Sequence, residues 1–334
     1  MAEVLHHYMA FGLRLVSDAP LPGFLATESG ATDLQVFFRA KVPDVEQRSA
    51  FRREVPEVPG LVYETVAGAD ATEIRVLHES GTIRLVIKGS SASFAWSSGI
   101  DIRTVKALFS GMILKSMALW RGKFALHAGA VEIPGTGTLV VAGQKGAGKS
   151  TLLAGFYAAG ARVVAEDMAV LSRGDADWHV HSGARILKLS PQAAAVLARE
   201  AGGTSAVGEW HSDHPGTADF LRNQKVLLDT TGRDGARGAE SSPLAAVCLL
   251  GPRSPESAAA VLERLDKPRA VALIAQELSE VPEVLLPKED KKAALQNVLL
   301  LVRDVPVYRL RLPNDLSRVQ AVAHQLMQGT LAVR

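Results

Sequence analysis

Eight residues, Gly143-Gln144-Lys145-Gly146-Ala147-Gly148-Lys149-Ser150, constrain this chain more than any other stretch, because they fit the pattern G-x-x-x-x-G-K-[ST] in full. Such a loop has meaning only between a strand and a helix, and both flanks comply. Thr138 to Ala142 (TLVVA) reads as a buried strand, and Thr151 to Ala159 (TLLAGFYAA) reads as a helix. In that setting the glycines let backbone N–H groups converge on phosphate oxygens. Lys149 supplies a point charge near the β and γ phosphates, and Ser150 offers a hydroxyl to Mg²⁺. Gly143, Lys145, Gly146, Ala147, Gly148, Lys149, Ser150 and Thr151 are therefore the expected nucleotide contacts. A glycine-rich turn that holds no ligand is the competing reading.

A chain of 334 residues, 47% hydrophobic, can bury one large core or two modest ones, and the length favours two. The formal charge of +2 leaves no global electrostatic footprint for nucleic acid or an anionic membrane. Cys248 is the single cysteine and lies in the apolar run Leu244 to Leu250, so a disulfide framework is excluded and a buried thiol expected. No stretch reaches the roughly 18 apolar residues a membrane helix needs. The first residues lack the basic start and apolar core of a secretion signal. The expectation is a cytoplasmic protein with no membrane and no nucleic-acid partner.

Residues 1–102 read as a β-rich N-terminal domain, a meander or small sandwich, with alternating runs at Met9 to Leu15, Thr82 to Ile87 and Ser91 to Trp96. The period changes at Thr104 to Trp120, where Val105, Leu108, Phe109, Met112, Ile113, Met117 and Trp120 fall at helical spacing. That helix is expected to open a second domain, 103–334, in which strands and helices alternate as in an α/β core. Strands are expected at Ala125 to Ile133 and Arg162 to Ala165, and loop over much of Gly202 to Pro243. The end reads as a helix from about Asp290 to Val302, a strand at Val307 to Leu312, and a helix capped by Asn314 or Asp315.

A phosphate-binding loop does not say what is done with the nucleotide. After the following helix, Gly160-Ala161-Arg162-Val163-Val164-Ala165-Glu166-Asp167 reads as a turn, a strand and two acids at the strand's carboxyl end, where ligands of such sheets gather. Phosphoryl transfer to a hydroxyl needs a metal on the phosphates and a carboxylate placed to take a proton, and Glu166 and Asp167 can divide those tasks. A solvated strand end or a helix cap is the plainer alternative. His127 lies between apolar flanks upstream of the strand and, alone, reads as a structural residue.

Leu126-His127-Ala128, two strands, the sequence GQKGAGKST, a helix, and Gly160 to Asp167 followed by Val170-Leu171 together resemble the catalytic core of HPr kinase/phosphorylase and its bacterial relatives. The resemblance spans Gly122 to Leu171 and extends more weakly to Pro306 to Leu310 and the terminal helix. It implies a P-loop kinase domain like the C-terminal domain of that family, ATP as donor and Mg²⁺ as cofactor. It also implies catalytic roles for His127, Lys149, Glu166 and Asp167, with His127 supporting the acid pair, one acid as base, and Ser150 and Asp167 at the metal. Members of the family assemble as homo-oligomers, so the resemblance admits one here.

Two departures stand out: Glu166-Asp167 replaces the usual pair of aspartates, and Lys145 stands where a small hydroxyl residue is common. The glycine-rich signature used for the carrier protein HPr has no counterpart, which argues against that substrate. The start, Tyr8-Met9-Ala10-Phe11-Gly12-Leu13-Arg14-Leu15 with Pro20-Leu21-Pro22, is similar to the HPr-kinase-like enzymes of lasso-peptide gene clusters. That similarity implies phosphorylation of the C-terminal serine of a precursor peptide.

Arg185 and Lys188 are further candidates for stabilising phosphoryl charge, with exposed charges on an alternating strand as the alternative. Lys225 is a weaker candidate. His211, Asp213 and His214 match no standard zinc spacing and read as a polar loop, in which Trp210 offers an apolar anchor for a peptide. His179 and His181 alternate on a strand and receive no role. A nucleotide-binding regulatory or assembly protein without transferase activity is the rival class, although no guanine-specific N-K-x-D element occurs. A small-molecule kinase is the third.

Overall fold

The computed structural model describes residues 4–38, 42, 44–46, 49–55, 59–175, 177–200, 209–212, 225–233, 238–253, 260–279 and 291–329. The fold is mixed α/β, with three sheets among these residues.

The first sheet is formed by β1 (His6–Ala10), β2 (Leu13–Ser17), β3 (Leu25–Ala26), β4 (Leu34–Phe38), β5 (Ser49–Glu54), β6 (Val62–Ala67), β7 (Thr72–His78), β8 (Gly81–Lys88) and β9 (Ser91–Trp96). Their order is β3-β1-β2-β4-β9-β8-β7-β6-β5. The expected meander is present as β5 to β9, and β1 to β4 extend it, so the nine strands form one sheet rather than a small sandwich.

The expected helix follows as α1 (Ile102–Leu108), a π-helical turn (Phe109–Ile113) and α2 (Leu114–Trp120). Asp101 caps it, its side chain accepting from the Arg103 amide at 2.7 Å. Val105, Phe109, Ile113, Leu114 and Met117 are buried in one apolar core with Leu34, Leu85 and Phe94 of the first sheet, a core that also takes in Ala125, Met168 and Val170. The π turn carries one residue more than an α turn, which rotates everything after it by about 100°. Of the residues placed on the apolar stripe by 3.6-residue counting, Ile113 and Met117 are buried and Trp120 is 45% exposed.

The second sheet comprises β10 (Phe124–Leu126), β11 (Ala128–Ile133), β12 (Gly137–Ala142), β13 (Arg162–Ala165), β14 (Ala169–Arg173), β15 (Trp178–His181), β19 (Ser241–Leu250), β20 (Val261–Arg264) and β21 (Val307–Arg311). The third contains β16 (Ile186–Leu189), β17 (Glu209–Ser212) and β18 (Val226–Asp229). Strand β12 runs parallel to β19, and β19 to β21, while β11 lies antiparallel between β12 and β13.

Period-2 alternation explains why helices cover both faces of the second sheet. Leu139 and Val141 of β12, and Cys248 of β19, face one core with Leu152, Leu153 and Phe156 of α3 (Lys149–Ala158). That core also holds Leu197 of α4 (Pro191–Glu200) and Leu326 of α7 (Val319–Gly329). Val140 and Ala142, the intervening residues, face the other core with Ile274 of α5 (Lys267–Gln276) and Val298 and Leu301 of α6 (Lys291–Asp304). Truncating any of these leucines to alanine costs about 2–5 kcal/mol.

Two local expectations change, a third falls partly outside the described residues, and a fourth is resolved between its two alternatives. The run Ala125 to Ile133 is two strands, broken at His127, because β10 pairs with β14 whereas β11 pairs with β12 and β13. Glu209 to Ser212 is not loop but a strand paired with β18, so His211 and Trp210 lie in a sheet, while Asp213 and His214 fall outside the described residues. Of the stretch from Gly202 to Pro243, 202–208, 213–224 and 234–237 lie outside them, and Pro243 sits in β19. Asp315 rather than Asn314 is the terminal cap, its carboxylate accepting from the Ser317 amide at 3.0 Å.

Candidate functional site

The sheet brings the site together at one end. Ala142, the last residue of β12, lies opposite Ala128, the first of β11, and Ala165, the last of β13, lies opposite Ala130. His127, the glycine loop and the acid pair therefore meet at the same sheet edge, although 39 residues separate Ala128 from Asp167 in sequence (167 − 128).

Three glycines of the loop, Gly143, Gly146 and Gly148, have φ of 145°, 87° and 103°. These are conformations that side chains disfavour, and they turn the chain sharply from β12 into α3. Gly148 is the N-cap of α3 without any side-chain cap, leaving the first amides of that helix directed into the loop. The Lys149 ammonium folds back over the loop and donates to the carbonyls of Gly143 and Gln144. Burial lowers its pKa, partly opposed by the charges of Glu277, Asp167 and Glu166.

The two adjacent acids diverge. Asp167 has φ of 66°, one of two positive values outside glycine among the described residues. The Met168 amide donates to the Glu166 carbonyl at 2.8 Å and closes a three-residue turn around it. Left-handed backbone at a non-glycine residue costs on the order of 1–3 kcal/mol and persists where the surroundings enforce it. Its effect is to send the two carboxylates to different partners.

Glu166 points inward. It is 5% exposed, and Ser150 Oγ donates to its Oε1 at 2.6 Å. Burial raises its pKa, with Asp167 adding to the effect, against the Ser150 hydrogen bond and the cations of Lys188 and Lys115. Gly129 is needed beside it, since a Cβ there would stand 2.3 Å from Leu153 Cδ2 and 3.3 Å from Glu166 Oε2.

Asp167 points outward, into a cavity of about 630 Å³. It forms an ion pair with Lys115 of α2, and His127 Nδ1 lies 3.5 Å from its Oδ1. His127 Nδ1 is also 3.1 Å from the Asp167 carbonyl, an oxygen that can only accept, so Nδ1 carries the proton. Burial works to raise the Asp167 pKa, but Lys115, Lys188 and His127 outweigh it and hold the carboxyl down at about 2. Lys115 itself is lowered by burial, with Asp167 opposing.

Four residues of this arrangement were not singled out from sequence. Lys115 comes from the helix of the first core, and its only sequence signal is a lysine within an apolar helix. Glu277 ends α5, where its carbonyl accepts from the His127 amide at 2.6 Å and its charge acts on Lys149. Arg253 follows β19 and lies against the loop, so that a Cβ on Gly148 would stand 2.8 Å from its Nη2. Gly111, in the π turn, lines the cavity beside Met112.

Among the cations that sequence did suggest, Lys188 is exposed on β16 and acts electrostatically on both acids. Arg185 is only 1% exposed, contrary to the reading of exposed strand charges, with its amide donating to Gly23 and its carbonyl accepting from Thr230. Lys225 is exposed just before β18, and no contact of its side chain joins the site. His181 is bonded to Ser172 Oγ at 2.9 Å, and Cys248 is buried with its thiol pushed up to about 12. No cluster of three or more His, Cys, Asp or Glu suited to a metal forms among the described residues. None of their helices is long and apolar enough to cross a membrane.

No family model matches the chain, and no curated protein is similar to it. Among solved structures it is similar to the HPr(Ser) kinase/phosphatase from Coxiella burnetii, at 11% identity and a TM-score of 0.28, over 60% of this chain and 96% of that one. At that TM-score the likeness assigns no role to any residue here.

Proposed function

We propose that this chain is an ATP-dependent serine kinase acting on a peptide or protein hydroxyl. The observation that carries the reading is the divergence of the acid pair beside the glycine loop, with Glu166 on Ser150 and Asp167 facing an open cavity. A phosphate-holding loop needs a metal-side oxygen pair and an acceptor-side carboxylate, and here they are consecutive residues turned apart.

The residues fit Mg²⁺: a hydroxyl and a carboxylate are hard oxygen donors, and the buried Glu166 carboxylate lies within hydrogen-bond distance of the Ser150 hydroxyl. Few protein ligands are expected, because this ion is commonly held by one or two carboxylates together with substrate phosphates. Ser150 and Glu166 would hold it, an exchange of the two acids relative to the expectation that Asp167 joins Ser150. When bound, Mg²⁺ supplies charge neutralisation at the phosphates.

The chain's own groups do the rest. The amides of the loop and of the start of α3 hold the phosphates, Lys149 meets the β and γ groups, and Arg253 adds positive charge beside Gly148. Lys115 and His127 keep Asp167 ionised and fix its direction. The acceptor hydroxyl oxygen bonds to the γ phosphorus as its proton passes to the Asp167 carboxylate, and the bond from that phosphorus to the β–γ bridging oxygen breaks, releasing ADP. Lys188 faces the negative charge that spreads over the transferring group.

Within this reading the acceptor suggested by the N-terminal resemblance is the C-terminal serine of a lasso-peptide precursor, and the compartment is the cytoplasm. Incubation with γ-labelled ATP and serine-containing peptides tests the proposal. Label in a peptide supports it; phosphate release without peptide label would instead indicate a nucleotide-driven regulatory protein.

A further inference from the structure

The helix from Ile102 to Trp120 carries a glycine in its middle, Gly111, within the π turn. Glycine is the weakest helix former after proline, so its presence there asks for a reason. Conformation gives none, because its φ is not positive. Crowding gives none either, because a Cβ at this position would meet nothing within 4 Å. What the glycine leaves is open space in the wall of the cavity that begins at Asp167. π turns recur where a helix wall has been adapted to a ligand.

We propose that this notch seats the phosphoryl acceptor, and that the acceptor is a serine in a peptide segment with an apolar side chain beside it. The inference rests on the kinase reading above and adds the place and chemistry of the acceptor. Asp167 and His127 line the cavity together with the loop residues Gln144 and Lys145. The same lining includes the apolar side chains of Met112, Leu119 and Leu278. Methionine is unbranched and polarisable, and suits a surface that must fit apolar side chains.

Of the charged groups in the lining, Lys115 is paired with Asp167, Glu277 acts on Lys149, and Lys145 is exposed on the glycine loop. Met112, next to the notch, and Leu119 of α2 offer an apolar surface to the residue beside the acceptor serine. A volume of about 630 Å³ exceeds what a lone serine fills and lies within the range of about 300–1,000 Å³ that encloses larger ligands.

The opposite wall, Ala275 to Ser279, is fixed in place by backbone bonds. The His127 amide donates to Glu277 at 2.6 Å, the Ser279 amide donates to Ala125 at 3.0 Å, and Leu278 bridges Leu126. The cleft thus has two firm sides, one from α5 and one from the helix packed on the first sheet.

The test uses the full chain, γ-labelled ATP and two capped pentapeptides, one with serine flanked by leucines and one with serine flanked by glutamates. The wild type is expected to label the leucine peptide with kcat/KM about tenfold or more above the glutamate peptide. Gly111→Leu, which fills the notch, is expected to lower kcat/KM for the leucine peptide about tenfold, mostly through KM. Binding of a fluorescent ATP analogue should stay within about twofold of wild type. Thermal stability should not fall, since leucine is the better helix former.

Labelling of the leucine peptide that is unaffected by Gly111→Leu would overturn this inference while leaving the kinase reading standing. So would loss of ATP-analogue binding in that variant, which would put the nucleotide's base in the notch. A preference for the glutamate peptide would overturn the apolar class. Failure of the wild type to label either peptide would overturn the kinase reading and this inference together.

Discussion

Ser150 and Glu166 are hydrogen-bonded at 2.6 Å, the hydroxyl in the first turn of α3 meeting the carboxylate just beyond β13. In the proposed reading this buried glutamate, bonded to the serine of the glycine loop, forms the metal side of the site, and the left-handed turn at Asp167 forms its acceptor side.

Glu166→Gln and Asp167→Asn should fail differently. The first is expected to raise the Mg²⁺ concentration needed for half-maximal transfer, because it removes a negative oxygen donor. The second should lower kcat by about 10²-fold or more, the usual scale of a lost proton acceptor, with Mg²⁺ dependence little changed. Steady-state rates across a Mg²⁺ titration separate the two, and identical profiles would contradict the division of roles.

Lys149→Ala should abolish detectable transfer while the circular dichroism spectrum and Tm stay near wild type. Among the described residues its ammonium bonds only to the loop carbonyls of Gly143 and Gln144, and no apolar core includes it. Full transfer by this variant would remove the basis for the proposed function.

The acids set the pH behaviour in opposite directions. Glu166 is raised above the ordinary carboxylate range by burial, so as pH falls it is protonated before most other carboxyls, and transfer should decline there. Glu166→Gln should remove that limb of the pH–rate profile. Asp167, held at about 2, contributes stability that is present above its unfolded pKa of about 3.9 and lost as pH falls through about 2. Lys115→Met takes away its main cation. In that variant, the loss of stability attributable to Asp167 should shrink and its titration, followed by carbonyl-edited NMR, should move upward.

Gly129→Ala should lower stability by about 1–3 kcal/mol, the cost of overpacking. The added methyl group falls on Leu153 of α3 and near Glu166 Oε2, so Mg²⁺ dependence should shift as well. Chemical denaturation and the Mg²⁺ titration are the measurements. A neutral outcome in both would mean the sheet edge yields more easily than its burial implies.

The loop and the acid pair were legible as neighbours because local pattern carries them: glycine spacing, a strand before, a helix after, and acids at the end of the next strand; His127 read alone as a structural residue and joined them only through the family resemblance. Lys115 was not legible, because nothing local links it to Asp167, 52 residues away. The π turn escaped for a different reason. Hydrophobic periodicity assumes 3.6 residues per turn and does not reveal a wider one; of the stripe it drew, Ile113 and Met117 are buried, Met112 lines the cavity and Trp120 is exposed. The edge at Glu277 and Arg253 depends on which strands become neighbours, information that resides in the whole sheet. The break at His127 likewise follows from a change of pairing partners that alternation within Ala125 to Ile133 cannot reveal.

The ion pair between Lys115 and Asp167 has a consequence for the order in which the molecule comes into being. The helix that bears Lys115 and the notch is anchored in the first sheet, and all of it is synthesised, and emerges, ahead of the glycine loop. The acceptor wall can therefore be standing when the phosphate-binding half arrives. A proteolytically shortened chain that keeps the loop but lacks this wall would leave Asp167 without its Lys115 partner and, in the proposed reading, would bind nucleotide with nowhere to seat an acceptor.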